Sequence, residues 1–228
     1  MPTETANFLL GTDQFGRDIL SRLLWGARTT ILFSLVATLV GALIGGAVGI
    51  MSGFLGGRFD EIVMRIVDAV MAIPSLLFAL LIITVLGPSA VNAVIAIGIA
   101  FSPGMARVAR SVTLSVRTRD FVAAAVARGE SPLWIMSREI APNMLAPVII
   151  EATIRVAFAI MLLATLSFLG LGAQPPTPEW GLMISESRAF MFRSFWTIFW
   201  PGLAIATVAI TFNLLGDALR DVLNPKTE

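Results

Sequence analysis

Cysteine, histidine and tyrosine are all absent from this chain of 228 residues, and its single lysine, Lys226, stands beside the C-terminus. Without cysteine there are no disulfides and no thiol nucleophile. Without histidine as well, the common haem and zinc ligands and any Ser-His or Cys-His dyad are missing. A phosphate-binding loop of the form GxxxxGK[ST] needs an internal lysine, so that route to a nucleotide is closed, and the chain is expected to hold no cofactor or metal of its own. Charge is scarce too: 14% of residues are charged, against about 25% in a soluble domain. The formal net charge of +1 offers no bulk field for nucleic acid. The opening "MPTETANFLLGTDQFGRD" has no basic stretch leading into an apolar one, so no cleavable signal peptide is expected.

What the chain has is apolar length. It is 57% hydrophobic, with a mean hydropathy of +0.87. Runs such as "TTILFSLVATLVGALIGGAVGIM", from Thr29 to Met51, match the ~20 residues needed to cross a bilayer. The class is therefore all-α and polytopic, with five spans expected at about Thr30–Met51, Val67–Leu86, Val91–Met105, Leu145–Leu171 and Ile198–Leu215. An odd number puts the termini on opposite sides. Ten basic residues (Arg58, Arg65, Arg107, Arg110, Arg117, Arg119, Arg128, Arg138, Arg220 and Lys226) fall on one side, and five (Arg17, Arg22, Arg28, Arg188 and Arg193) on the other. Basic loops stay cytoplasmic, so the C-terminus is expected inside and residues 1–28 outside, with one membrane domain over 29–228. Trp25, Trp196 and Trp200 flank the outer span ends, where indole rings favour the headgroups. Gly41, Gly45, Gly49 and Gly53 recur every four residues in the first span, on one helix face, and are read as a packing seam for a neighbouring helix.

The segment "DFVAAAVARGESPLWIMSREIAPN", Asp120 to Asn143, breaks the apolar pattern. Asp120 is placed to cap a short helix, and Gly129 suits the left-handed position that ends it. Ser131 and Pro132 restart a helix, with Pro142 expected to stop it. Ala123, Ala124, Ala125 and Ala127 offer small side chains over which another protein surface could approach the backbone. A docking element and an ordinary solvated loop both fit these residues.

"AAAVARG", followed by Ile140 and Pro142, resembles the EAA loop of ATP-binding-cassette importer permeases, with Ala123 where the first Glu of that loop usually stands. Three more blocks extend the likeness: "GTDQFGRDILSRLLWGAR" (Gly11–Arg28), "LSFLGLGAQPPTPEWG" (Leu166–Gly181) and "PGLAIATVAITFNLLGDALRDVLNP" (Pro201–Pro225). In this order they resemble the second permease subunit of the dipeptide, oligopeptide and nickel importers. The resemblance implies the type I importer permease fold, a multi-pass location in a bacterial or archaeal cytoplasmic (inner) membrane, and a heterodimer of related permeases forming one path. It also implies two cytoplasmic ATPase subunits carrying ATP and Mg, and an extracytoplasmic solute-binding protein. The coupling segment would dock on an ATPase through Asp120, Phe121, Ala123, Ala124, Ala125, Arg128, Gly129, Ser131 and Pro132. Two details depart from the pattern: Ala123 replaces a Glu, and Glu139 stands where a basic or aromatic residue is common. Relatives usually carry one more helix before the "GTDxxGRD" block, where this chain has ten residues before Gly11. A shortened chain, a misplaced start and a five-span variant all fit that difference.

Glu151 and Arg155 lie four residues apart in the fourth span, so they share a face, roughly 9 and 15 Å along the helix from Leu145. They either line the path or form a self-neutralising pair against the partner permease, and pairing alone suffices to make the burial tolerable. Asp68 is read as interfacial or packing. The three prolines of "PPTPEW" stiffen an outer loop that either meets the binding protein or is structural. Two other classes remain in view. An ion-gradient transporter or channel would show repeated halves, which the sequence lacks. An intramembrane aspartyl protease has only "LLGD" at Leu214–Asp217 to suggest it, without the tyrosine of the companion motif.

Overall fold

The computed structural model describes residues 8–223. Met1, Lys226 and Glu228, on which the charge and terminus readings drew, lie outside them, as does Pro225. The described residues form helices without a sheet. Four are long and apolar enough to span, α1 (Ile19–Leu55), α4 (Ala90–Val116), α8 (Leu145–Phe168) and α10 (Trp196–Leu223), and the count is five where a bent pair is taken as one broken span.

That pair corrects the expected straight helix over Val67–Leu86. Instead, α2 (Gly57–Met71) and α3 (Ser75–Leu86) meet at 91°. Pro74, immediately before α3, has no N–H to continue the α2 ladder and is itself extended, at φ −54° and ψ 133°. At twelve residues α3 is only about 18 Å long. The amphipathic α2 is tied to α4 by Arg110, which grips Asp60 at 2.6 and 2.5 Å, and by Arg107, which reaches Asp68 at 2.6 Å.

The first helix also starts eleven residues before the expected Thr30, because hydropathy marks the lipid-embedded part and not the helix. Asp18 caps it, accepting from the Ser21 amide at 2.9 Å. At 37 residues α1 is roughly 55 Å long, so it extends well beyond the ~30 Å of hydrocarbon.

The seam residues of α1 lie along α4. A methyl group built on Gly41 would sit 2.9 Å from the Gly98 carbonyl oxygen, and one on Gly53 would sit 2.8 Å from Thr113 Cβ. At Gly45 and Gly49 it would overlap the carbonyl oxygens of Ser102 and Ala106. Only hydrogen allows that approach, which supplies the dispersion contacts that hold helices together when lipid tails are as apolar as leucine. Within α4, Pro103 leaves the Ile99 carbonyl without its helical donor, and the Ser102 hydroxyl donates to it at 2.8 Å.

Around this pair the core gathers Ala37, Ala79, Ile83, Ile97, Phe101, Ala159, Leu163 and Leu166 from α1, α3, α4 and α8. The C-terminal ends of α1 and α4, with residues 120–143, form one end of the bundle. The start of α1 and the short α9 (Trp180–Ser187) form the other.

Candidate functional site

At the 120–143 end the chain leaves α4 and builds α5 (Asp120–Ala127). Arg119, not Asp120, takes the extended cap position; Asp120 is the first helical residue and makes no side-chain cap bond. A carboxylate in the first turn still favours the positive end of the helix dipole. The helix ends as expected. Gly129 has φ +79°, its amide donates to Val126 at 2.9 Å, and the Glu130 amide donates back to Ala125 at 3.2 Å. These two bonds make a Schellman closure, which needs a left-handed residue at the turn.

Ser131 accepts from the Trp134 amide at 3.3 Å and Pro132 opens α6 (Pro132–Ile135). Pro142 does not stop the chain here, contrary to expectation. The turn Met136–Ile140 widens to a π-helix, the Ala141 amide bonding back to Met136, and α7 (Ala141–Asn143) runs past Pro142 to within one residue of α8. Widening by one residue absorbs the missing donor and the ring clash of the proline. From Pro132 onward the segment is therefore helical up to the long apolar α8, apart from Met144.

Val122, Ala125, Ile135 and Ile140 are buried against Val116, with Ile50, Phe54 and Val112 packed around them. Ala125 is fully buried in this cluster and so drops out of the expected docking face. What faces outward is Phe121, Ala123, Ala124, Val126, Ala127 and Leu133. Leu133 and Val126 are 73% and 57% exposed. An apolar patch held in place in this way is a shape that another protein surface can meet. Arg128 lies beside it, 3.7 Å from Glu130 and 3.8 Å from Glu139, with Trp134 under its guanidinium. Glu139 thus faces a cation of its own segment.

Inside the membrane, Arg155 donates from Nε to Glu151 at 2.8 Å and lies 2.7 Å from the same carboxylate through Nη2. Its guanidinium packs on the bare Cα of Gly104 and over the Phe101 ring, 5.6 Å from the centroid. The pair borders a cavity of about 390 Å³ between α3, α4 and α8.

At the opposite end, the "GTDQFGRD" block is laced to α9. Arg17 and Arg22 both reach Asp13 and Glu186, at distances between 2.6 and 3.2 Å. Glu179 and Trp180 of the proline block turn inward. The Trp180 ring N–H donates to the Leu23 carbonyl at 2.9 Å, and Glu179, fully buried, caps α9 by accepting from Gly181 and Leu182 at 3.0 and 2.9 Å. Of the "PPTPEW" residues, Pro175, Pro176 and Thr177 are exposed. Sequence reading missed these ties because their partners lie about 50 to 170 residues apart. The Glu following a proline turn and preceding an apolar run was the one local cue, as an N-cap.

Burial pushes the Glu179 carboxyl above the usual range, with the Gly181 and Leu182 amides and the Ser167 and Thr30 hydroxyls pulling it down. A raised folded value means that this group's stabilisation is complete below its unfolded value and is lost as pH rises through the folded one. Glu179→Gln, which cannot ionise, should flatten that pH dependence. It should also cost about 1 kcal/mol, by setting an amide N–H2 against a backbone donor. Thermal unfolding in detergent between pH 4.5 and 8 checks both.

Residues 45–228 match the family model described as "Binding-protein-dependent transport system inner membrane component". The chain is 46% identical to the dipeptide transport system permease protein DppC of Escherichia coli K12, over 96% of this chain and 73% of that protein. It is 42% identical to that of Haemophilus influenzae, over 96% and 74%. It is also 42% identical to the probable D,D-dipeptide transport system permease protein DdpC of Escherichia coli K12, over 99% and 76%. In fold it is similar to a chain of the inward-facing MetNI methionine transporter, with TM-score 0.71 at 18% identity, covering 90% of this chain and 97% of that one. A chain of an amino acid ABC transporter gives TM-score 0.60 over 96% and 98%.

Proposed function

Because the chain belongs to the family of binding-protein-dependent transport system inner membrane components, we propose that it forms, with a second related permease, the path of an ATP-driven peptide importer. It is a multi-pass membrane protein and an ABC importer permease, and membership implies a partner permease and an ATPase. The ion-gradient alternative is set aside on that match.

The finer assignments are ours. Two cytoplasmic ATPase subunits bind ATP and Mg, an extracytoplasmic protein delivers the solute, and this chain carries no nucleotide site. Peptides are the cargo, in keeping with the names of its relatives.

One observation carries the coupling role. The exposed apolar face of α5 and α6 is fastened to α1 and α4 beneath it, and from α6 the chain runs through α7 almost unbroken into α8. A push on that face therefore moves a helix bearing intramembrane charges. Proteoliposomes holding the assembled importer should take up labelled dialanine only with ATP inside the ATPase compartment and binding protein outside. Uptake driven by an ion gradient without ATP would refute the reading.

The orientation has its own test. The 120–143 end holds Arg58, Arg65, Arg107, Arg110, Arg117, Arg119, Arg128, Arg138 and Arg220, against Arg17, Arg22, Arg28, Arg188 and Arg193 toward the other end. The first end is assigned to the cytoplasm. Since the chain has no cysteine, Thr177→Cys should react with an impermeant maleimide in intact cells, and Ser137→Cys only after permeabilisation. The reverse pattern would invert the assignment.

A further inference from the structure

The intramembrane pair has more structure around it than charge burial requires. α8 packs against α1, α4, α9 and α10. The face left open carries Glu151, Arg155, Phe158 and Met161, with Ser75 of α3 and Phe101 of α4 across the cavity. Charges at this depth are not stable against hydrocarbon, so this face meets water or protein. Its volume of about 390 Å³ lies within the range of small-molecule sites.

We propose that Glu151 and Arg155 bind the two charged termini of a short peptide during its passage, making this pair a cargo-selecting site in the membrane. The inference rests on the reading of the chain as a peptide permease. Both contacts from Arg155 fall on Oε1 of Glu151, so Oε2 lies outside the pair, and Nη1 of Arg155 is in neither contact. A peptide ammonium meets Oε2, and its carboxylate meets the guanidinium, which favours planar two-pronged acceptors. Charge is conserved. The protein ion pair stays closed, two protein–peptide pairs form on the atoms it leaves over, and the site is neutral before and after, which lowers the barrier to occupying it inside a membrane.

Side chains of the cargo lie against Phe158 and Met161, which are 58% and 54% exposed and tolerant of varied shapes. Such a site reads free termini and little else. That suits short peptides of mixed composition and rejects blocked ones. Arg155 is held for the task by Gly104, where a methyl group would come 2.9 Å from the guanidinium carbon, and by the Phe101 ring.

The test uses the assembled importer in two measurements. In the first, the complex without binding protein is photolabelled with benzoylphenylalanyl-alanine bearing free termini. Label should fall on α3, α4 or α8, and dialanine should displace it at least about tenfold better than N-acetyl-dialanine or dialanine amide. Label elsewhere, or equal displacement by the blocked forms, overturns the proposal. In the second, Glu151→Gln and Arg155→Gln are combined, which removes both charges together and spares the fold an unpaired one. Dialanine uptake per ATP hydrolysed should fall at least about tenfold. Wild-type uptake by that double variant makes the pair a structural contact with the second permease and also overturns the proposal. A wild-type importer that takes up no dialanine at all would instead remove the peptide reading, and this proposal with it.

Discussion

Gly129→Val should insert into the membrane at normal level, pair with the second permease, and yet lose ATP-driven uptake. The Cβ would meet no atom within 4 Å, so sterics between residues play no part. The penalty is in the backbone. Gly129 sits at φ +79°, where an ordinary L-residue pays about 1–2 kcal/mol and a β-branched one more. The cheapest relief is for the chain to leave the left-handed region, which breaks the bonds from the Gly129 and Glu130 amides and swings α5 away from α6. The exposed face made by Phe121, Ala124, Val126 and Leu133 then no longer exists as one surface. Uptake should drop more than about tenfold and ATPase co-purification should weaken, at matched protein level. Gly129→Asn supplies the control, because asparagine tolerates the left-handed region and should restore most of both signals. Wild-type uptake and ATPase recovery in the valine variant would refute the docking assignment.

Much of this was legible in the sequence where the cue was local. The Gly129 turn, the Ser131 and Pro132 restart and the four-residue glycine period each depend on the conformation of a few neighbouring residues, and each stands in the structure where expected. The bend between α2 and α3 was missed because hydropathy averages over a window and passes across Pro74 without registering a change of direction. The continuation through Pro142 was missed for a related reason. A proline ends a helix unless the preceding turn widens, and nothing in "MSREIAP" announces a π-turn. The burial of Ala125 needed the ends of α1 and α4, and those contacts are set by tertiary packing. The ties Asp60–Arg110 and Arg22–Glu186 were invisible for the same reason, being long-range pairs between residues that look like ordinary loop charges.

The glycine seam yields the sharpest stability prediction. Gly45→Ala and Gly49→Ala each add one methyl group to a 37-residue helix, a change that ordinarily favours helix by up to about 1 kcal/mol. Here the sign should reverse. The new Cβ at Gly45 would overlap the Ser102 carbonyl and lie 2.6 Å from Met105 Cβ, and that at Gly49 would overlap the Ala106 carbonyl and lie 2.6 Å from Ala109 Cβ. These neighbours are backbone or the first carbon of a side chain, so no rotamer change relieves the contact and α1 and α4 must separate. Overpacking of this kind costs about 1–3 kcal/mol per site. The two sites are adjacent turns of one seam, so a single separation serves both and the double variant should cost less than the sum. Gly46 is the internal control. It is one residue along the same helix, with no atom within 4 Å of a built Cβ, and Gly46→Ala should leave stability unchanged or slightly raised. Melting of the purified protein in detergent separates the outcomes. If Gly45→Ala melts with the wild type while Gly46→Ala does not, α1 turns a different face to α4, and the arrangement that places Arg110 on Asp60 and Arg155 against Gly104 loses its support.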